Sequence, residues 1–273
     1  MGRLLFFFLL TIGRAAGRLL RDRTNQPIDG RYPVRKTVTT IVLCSLLFAS
    51  PAPCWEAGET IETTDGELAI TCVGHGSLLF SWSGITIHVD PWSRQGDYES
   101  MPDADIILIT HHHRDHLDGE AIRAVQKDET VTILTRSCAD KGFDGLVMDN
   151  GDSMTVMGIP IRAVPAYNIE HKREDGSPYH PKGDGNGYLI RFAETVVYVA
   201  GDTEPIPEMA DLGKVDIAFL PMNLPYTMSP EMAAEAARLI RPRILYPYHY
   251  GETDTNELVE MLAGTPEIEV RIR

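Results

Sequence analysis

Thr110-His111-His112-His113-Arg114-Asp115-His116 places four metal-ligating side chains, those of His111, His113, Asp115 and His116, within a span of six positions. Imidazole and carboxylate together suit zinc, manganese or iron, and the absence of a nearby cysteine argues against a structural thiolate zinc site. The residues just before, Asp105 to Thr110 (DIILIT), are β-branched and continuously apolar, the pattern of a strand buried on both faces of a sheet. From the end of such a strand His111 and His113 can aim at one metal, while Asp115 and His116 turn toward a second point beside it. A solvated His-rich turn requires neither an aspartate at that spacing nor a buried strand before it.

H-x-H-x-D-H after a hydrophobic strand resembles the signature of the metallo-β-lactamase-fold hydrolases, and further elements follow in that superfamily's order. Gly74-His75-Gly76-Ser77 lies between two strand-like runs and Val89-Asp90-Pro91-Trp92 closes a hairpin. Gly201-Asp202-Thr203 follows the strand Val196 to Ala200, and Pro247-Tyr248-His249-Tyr250-Gly251 follows Ile244 to Tyr246. The resemblance spans residues 66 to 273 and implies a four-layer αββα sandwich of the α/β class. It further implies His111 and His113 on metal 1, Asp115, His116 and His249 on metal 2, and Asp202 between them. Two zinc ions per chain are then expected, with Mn2+ or Fe2+ as alternatives. The GHGS, VPAYN, HPKG and GDT elements are most similar to a metal-dependent hydrolase branch related to ascorbate-phosphate lactonase-like and phospholipase D-like members.

Most members carry a third histidine for metal 1 where this chain has Asn168, in Val164-Pro165-Ala166-Tyr167-Asn168. Three readings stand: the Asn168 amide oxygen as a weak ligand, His180, or His171. His180 is preferred; the Gly/Pro/Asp-rich loop from Glu170 to Gly187 that carries both histidines is long for a compact domain, and such loops are often functional. Of the remaining histidines, His112 is expected to face away from the metals. His88 alternates with Ile87 and Val89 and reads as a hydrogen-bonded, half-buried strand residue. His75, beside Gly76, reads equally as a contact around the metals or as packing. Asp90 is placed either to orient a ligand histidine through its other ring nitrogen or to serve the turn before Pro91.

The chemistry expected of such a centre is a hydroxide, held between divalent ions, attacking an ester, lactone, amide or phosphodiester in a small-molecule substrate. Asp115, Asp202 and Tyr226 are the candidate catalytic residues. Asp202 would hold the nucleophile, and Tyr226, in the loop after the strand Asp216 to Leu220, would donate to an oxyanion or else simply pack. Two other classes share the ligands: an iron-dependent sulfur or redox enzyme, and a non-catalytic or mononuclear metal-binding exported protein. Carbapenem hydrolysis fits poorly, since the Asn168 segment and GHGS are unlike the lactamase branch.

Val38 to Ala49 is an apolar run of signal-peptide length, preceded by Arg35-Lys36 and followed by Ser50-Pro51-Ala52-Pro53. Residues 1 to 53 are accordingly read as an N-terminal extension plus signal peptide, and 54 to 273 as the hydrolase domain, periplasmic or secreted. A signal peptide seldom starts so far in, so translation is expected to begin near Val34; the competing reading is an amphipathic leader at Arg3 to Leu20. Pro51-Ala52-Pro53 is a poor lipobox for Cys54. Residues 1 to 52 hold 8 of the 25 basic and 2 of the 39 acidic residues, leaving 17 against 37, a net of −20. Such a surface repels nucleic acid, and no stable membrane insertion is expected once the leader is removed. Oligomeric state is not encoded legibly. Cys54, Cys72 and Cys138 remain after cleavage, an odd count, and Cys72 pairs with Cys138 only if the fold brings them together.

The elements that must position these residues are read as strands at Leu68 to Val73, Leu78 to Trp82, Ile85 to Asp90, Val131 to Thr135, Ser153 to Met157, Ile159 to Val164 and Tyr188 to Phe192. These join the motif strand and the strands already named, with Arg243 to Tyr246 before His249. Helices are predicted near Gly119 to Gln126, from Pro230 to Ile240 with Ser229 as N-cap, and from Asn256 to Leu262. No internal repeat is visible in the sequence.

Overall fold

The computed structural model describes residues 58–273. The leader readings at Arg3 to Leu20 and Val38 to Ala49, the expected start near Val34, and Cys54 lie outside the described residues. Strands β1 (Glu59–Thr63), β2 (Gly66–Gly74), β3 (Ser77–Trp82), β4 (Ile85–Val89), β5 (Ala104–Leu108), β6 (Gln126–Leu134) and β7 (Leu146–Val147) make one seven-stranded sheet in chain order. The other seven-stranded sheet holds β8 (Ser153–Val156), β9 (Ile159–Ala166), β10 (Gly185–Phe192), β11 (Thr195–Val199), β12 (Ile217–Pro221), β13 (Ile244–Tyr248) and β14 (Glu269–Val270). Each sheet pairs antiparallel through its first four strands and parallel thereafter. The chain thus repeats one topology twice, without a sequence repeat to announce it.

Side-chain alternation makes the layers. In β5, Ile106 and Leu108 enter the core shared by the two sheets, whereas Ile107 and the following Ile109 join a separate apolar layer under α1 (Gly119–Val125) and α2 (Arg136–Ala139). In β11, Val197 and Val199 face inward, while Val196 and Tyr198 face α3 (Pro230–Ile240) and α4 (Thr255–Leu262). Strands with two buried faces must be apolar throughout, and the four-layer αββα sandwich follows. An aromatic cluster closes the inner core: Phe80 stands 5.9 Å from both Phe192 and Phe219, and Phe219 stacks on Tyr246 at 4.9 Å.

The helix starts are side-chain determined. Ser229 accepts from Met232 N with Pro230 at the first helical position, and Asp118 and Asp254 accept from the backbone amides of Glu120 and Asn256. The sequence missed β1, β7, β14 and α2, all short. It also ended the first helix one residue late and began the next strand too late, because β6 opens with the polar run Gln126 to Thr130. That run is held by partners rather than by propensity: Lys127 Nζ reaches Asp105 at 2.6 Å and Thr130 Oγ1 donates to Ala104 O at 2.6 Å. Cys72 and Cys138 are both free, one against the inter-sheet core and the other on α2, pointing into the outer apolar layer.

Candidate metal centre

The C-terminal ends of β2, β4, β5, β9, β11 and β13 all open on one edge of the sandwich, where they deliver His75, Asp90, His111, Asn168, Asp202 and His249. The two sheets are stitched together at this edge. Asn186 N donates to Thr110 O at 2.8 Å and His249 N donates to His75 O at 2.9 Å. His75, Asp90 and His249 take left-handed backbone, with φ of 51°, 44° and 48°. Such conformations for non-glycine residues persist where surrounding contacts impose them, and they concentrate at functional sites. Gly76 is glycine for a steric reason, since a Cβ there would stand 2.8 Å from His116 Cε1.

Two groups of side chains converge. His111, His113, His180 and Asp202 form one, and His75, Asp115, His116 and His249 the other, the ligand-type atoms of each lying within 4.8 Å of one another. Asp202 touches both. Its Oδ2 is 3.2 Å from His180 Nε2, 3.8 Å from His111 Nε2 and 3.6 Å from His249 Nε2, and its Oδ1 is 3.5 Å from His116 Nε2. Asp115 Oδ2 lies 2.9 Å from His75 Nε2, 3.7 Å from His249 Nε2 and 3.9 Å from His116 Nε2. Asp202 and the imidazoles of His111, His116, His180 and His249 are buried, while the Asp115 side chain is 33% exposed and forms the open side.

The residues present fit metal ions. Nε2 of His111, His116 and His249 and Oδ1 of Asp202 are buried without a hydrogen-bond partner, an arrangement that is costly unless something else binds them. Outer partners set the tautomers: His116 Nδ1 faces Asp90 Oδ2 at 2.7 Å, His111 Nδ1 faces Thr110 Oγ1 at 3.0 Å, and His180 Nδ1 faces Asn168 Oδ1 at 2.7 Å. Each leaves a lone pair at Nε2, pointing inward. Burial, and then the neighbouring His116, hold the His111 imidazole well below its ordinary range, and burial with His180 pushes His113 down to about 4. Burial also opposes charge on His116, yet Asp202, Asp90 and Asp115 outweigh it and raise it to about 9. Burial likewise raises Asp202, but His249, His116 and His180 hold it well below the usual carboxylate range. The centre therefore sets an ionised Asp202 among buried imidazoles, of which His111 and His113 are held uncharged, a donor set suited to a bound cation.

The structure brings His180 to His111, His113 and Asp202 in the first group, and His171 elsewhere, its Nδ1 2.9 Å from Glu204 Oε1. Asn168 turns its amide oxygen to His180. His75 is the residue the sequence left undecided, and it joins the second group. Its signal was the glycine beside it, which lets His116 and His249 approach. His112 stands apart from both groups but lines the small pocket with His111, His113, Tyr179 and His180. His88 is fully buried, not half-buried, and faces Pro102 O at 3.0 Å. Tyr226 is 46% exposed, with its ring edge-on to Tyr179 at 5.1 Å.

Comparison with known proteins gives consistent matches. A family model described as a β-lactamase superfamily domain matches residues 69–249. A UPF0173 metal-dependent hydrolase from Methanoculleus marisnigri is 33% identical over 186 residues, 67% of this chain and 81% of the relative. Among solved structures, a Parabacteroides distasonis protein assigned as a metal-dependent hydrolase is 50% identical with a TM-score of 0.76, over 79% of this chain and 97% of the other. A metallo hydrolase from the hyperthermophilic archaeon Ignicoccus hospitalis is 25% identical with a TM-score of 0.63, over 76% and 94% respectively.

Proposed function

The chain belongs to the β-lactamase superfamily, among relatives named as metal-dependent hydrolases, and we propose that it is a dinuclear, zinc-type hydrolase of small-molecule esters, lactones, amides or phosphodiesters. The observation that carries this reading is the meeting of two ligand groups at one buried carboxylate, Asp202. His111, His113, His180 and Asp202 would hold one ion, and Asp115, His116, His249 and Asp202 the other, with His75 braced against Asp115. Bound there, divalent ions make water nucleophilic near neutral pH and polarise the scissile oxygen.

The chain's own residues supply the rest. Asp202, held ionised by the imidazoles around it, would keep the attacking water in place between the two ligand groups. Asp115 faces the open side, from which substrate reaches the centre, and His75 fixes its rotamer through Oδ2. Tyr226 donates its hydroxyl to a substrate oxygen from the rim. Manganese or iron is compatible with the same nitrogen and oxygen donors. We further propose that the protein is exported, periplasmic or secreted, on the strength of the apolar run Val38 to Ala49 and the acidic remainder of the chain. No described helix is long and apolar enough to cross a membrane.

The test is metal content by mass spectrometry on protein purified without chelators, for wild type and His180→Ala, with a parallel ester, lactone, amide and phosphodiester screen. Two metals falling to one, with hydrolysis of one class lost in the variant, supports the reading. One metal in both proteins removes the dinuclear assignment.

A further inference from the structure

We infer that Glu204 is a positioning residue of the metal centre, orienting His180 through Asn168. The segment Gly201-Asp202-Thr203-Glu204 would then supply one ligand directly and set a second at one remove. The inference rests on the metal-centre reading above.

Glu204 is fully buried, and among the described residues it has no lysine or arginine partner. Four donors converge on it instead. Oε2 accepts from Ile169 N and Glu170 N, each at 2.7 Å, and Oε1 accepts from His171 N at 2.7 Å and from Asn168 Nδ2 at 2.9 Å. A buried carboxylate is tolerated where its lone pairs are filled in this way. Three successive backbone amides and one side-chain amide thus fix the chain where it leaves β9.

The amide of Asn168 has only one orientation that satisfies its surroundings. Nδ2 donates to Glu204 Oε1 and to Tyr226 O at 3.0 Å, so Oδ1 must face His180. There Oδ1 accepts from His180 N at 2.8 Å and from His180 Nδ1 at 2.7 Å, while Asn168 N donates to His180 O at 2.9 Å. Asn168 therefore holds both the backbone and the ring of the histidine that returns at the end of the loop. With the proton held on Nδ1, the His180 Nε2 lone pair points at Asp202 Oδ2, 3.2 Å away, and at His113 Nδ1, also 3.2 Å away. Two imidazole nitrogens facing each other beside a carboxylate make a cation cradle, and one of the two, His180 Nε2, is aimed from Glu204.

A glutamine at 204 presents one accepting oxygen where the carboxylate has two, and its amide group would meet backbone N–H donors. Asn168 is then free to rotate, and His180 loses the partner that sets its tautomer. Loss of such an outer partner typically weakens metal binding by about 10- to 100-fold.

The experiment is a titration of metal-free protein with Zn2+ against a chromophoric chelator, for wild type, Glu204→Gln, Asn168→Ala and the double variant, with thermal melts of each metal-free form. Two binding steps are expected in the wild type. Each single variant should weaken one step by about 10- to 100-fold and leave the other in place, and the double variant should be no weaker than Asn168→Ala. A simple structural role would lower the melting midpoint without separating the two steps. Equal loss at both steps, no change at either, or multiplied losses in the double variant would overturn the relay. Should Glu204→Gln fail to fold, Asn168→Ala decides, with an unchanged pair of steps counting against the inference. A wild type that takes up no metal would sink the metal-centre reading itself, and the relay with it.

Discussion

Asp90 and His116 form a fully buried pair, Oδ2 to Nδ1 at 2.7 Å, and through Thr110 the same carboxylate reaches the other half of the centre. Thr110 donates its backbone N–H to Asp90 Oδ1 at 2.8 Å and its hydroxyl to Oδ2 at 2.5 Å, while His111 Nδ1 sits 3.0 Å from that hydroxyl. One carboxylate thus sets the tautomer of a histidine in each ligand group. Asp90→Asn should weaken both metal-binding steps, by about 10- to 100-fold for His116, the directly held ligand, and less for His111. Competition with a chelator of known affinity measures this, and a loss confined to His111's group would contradict the assignment.

Gly76 carries a different constraint, one of space. A methyl group there would stand 2.8 Å from His116 Cε1 and 3.5 Å from His249 Cδ2, so Gly76→Ala must displace an imidazole or the backbone. Overpacking of this kind costs about 1 to 3 kcal/mol. The expected result is loss of the second metal with a modestly lowered denaturation midpoint. Full metal content in the variant would show that the strand end has room to move.

Tyr226 is the residue whose role is least constrained by its surroundings. If its hydroxyl donates to a substrate oxygen, Tyr226→Phe removes a hydrogen bond worth about 1 kcal/mol and lowers turnover by roughly fivefold, with metal content unchanged. Equal turnover in the two proteins would leave the ring as a packing partner of Tyr179.

Some of this was legible in the sequence for clear reasons. β5 and β11 are buried on both faces, so their apolar runs announced themselves, and the polar residues at their ends had to be doing something other than packing. His249 and Asp202 stood out in the same way. Asn168 marked a departure without revealing its meaning, because holding His180 requires the loop to return to β9, and nothing in the residues between fixes that return. Glu204 was invisible: three of its four donors are backbone amides, which have no sequence identity, and the fourth, Asn168, lies 36 residues away in sequence. His75 depends on a contact between sheets, through its carbonyl to His249 N, and long-range pairing of this kind leaves no local pattern. The edge strands β1, β7 and β14 are short and partly polar. β1 and the chain's end are tied together by Glu59, which accepts from Tyr246 and pairs with Arg271 and Arg273.

The buried histidine outside the ligand groups should leave a mark on stability. His88 lies between two inward-facing core residues of β4, turns to the outer layer near Tyr98, and is pushed down to about 4 by burial, which the hydrogen bond to Pro102 O offsets only in part. Unfolded, the same imidazole titrates near its ordinary value of about 6.5. Between these values the unfolded chain binds a proton that the folded chain does not, so stability falls as pH drops through that window and the contribution vanishes above it. At pH 4.5 the loss amounts to about 2 to 3 kcal/mol. Other buried histidines add their own slopes, which cancel when His88→Gln is compared with wild type in chelator. Urea denaturation of both proteins from pH 7.5 to 4.5 should show the stability gap between them shift in favour of the variant by about that amount. Parallel curves would mean that the folded protein opens a path for water to His88 and lets it charge in place.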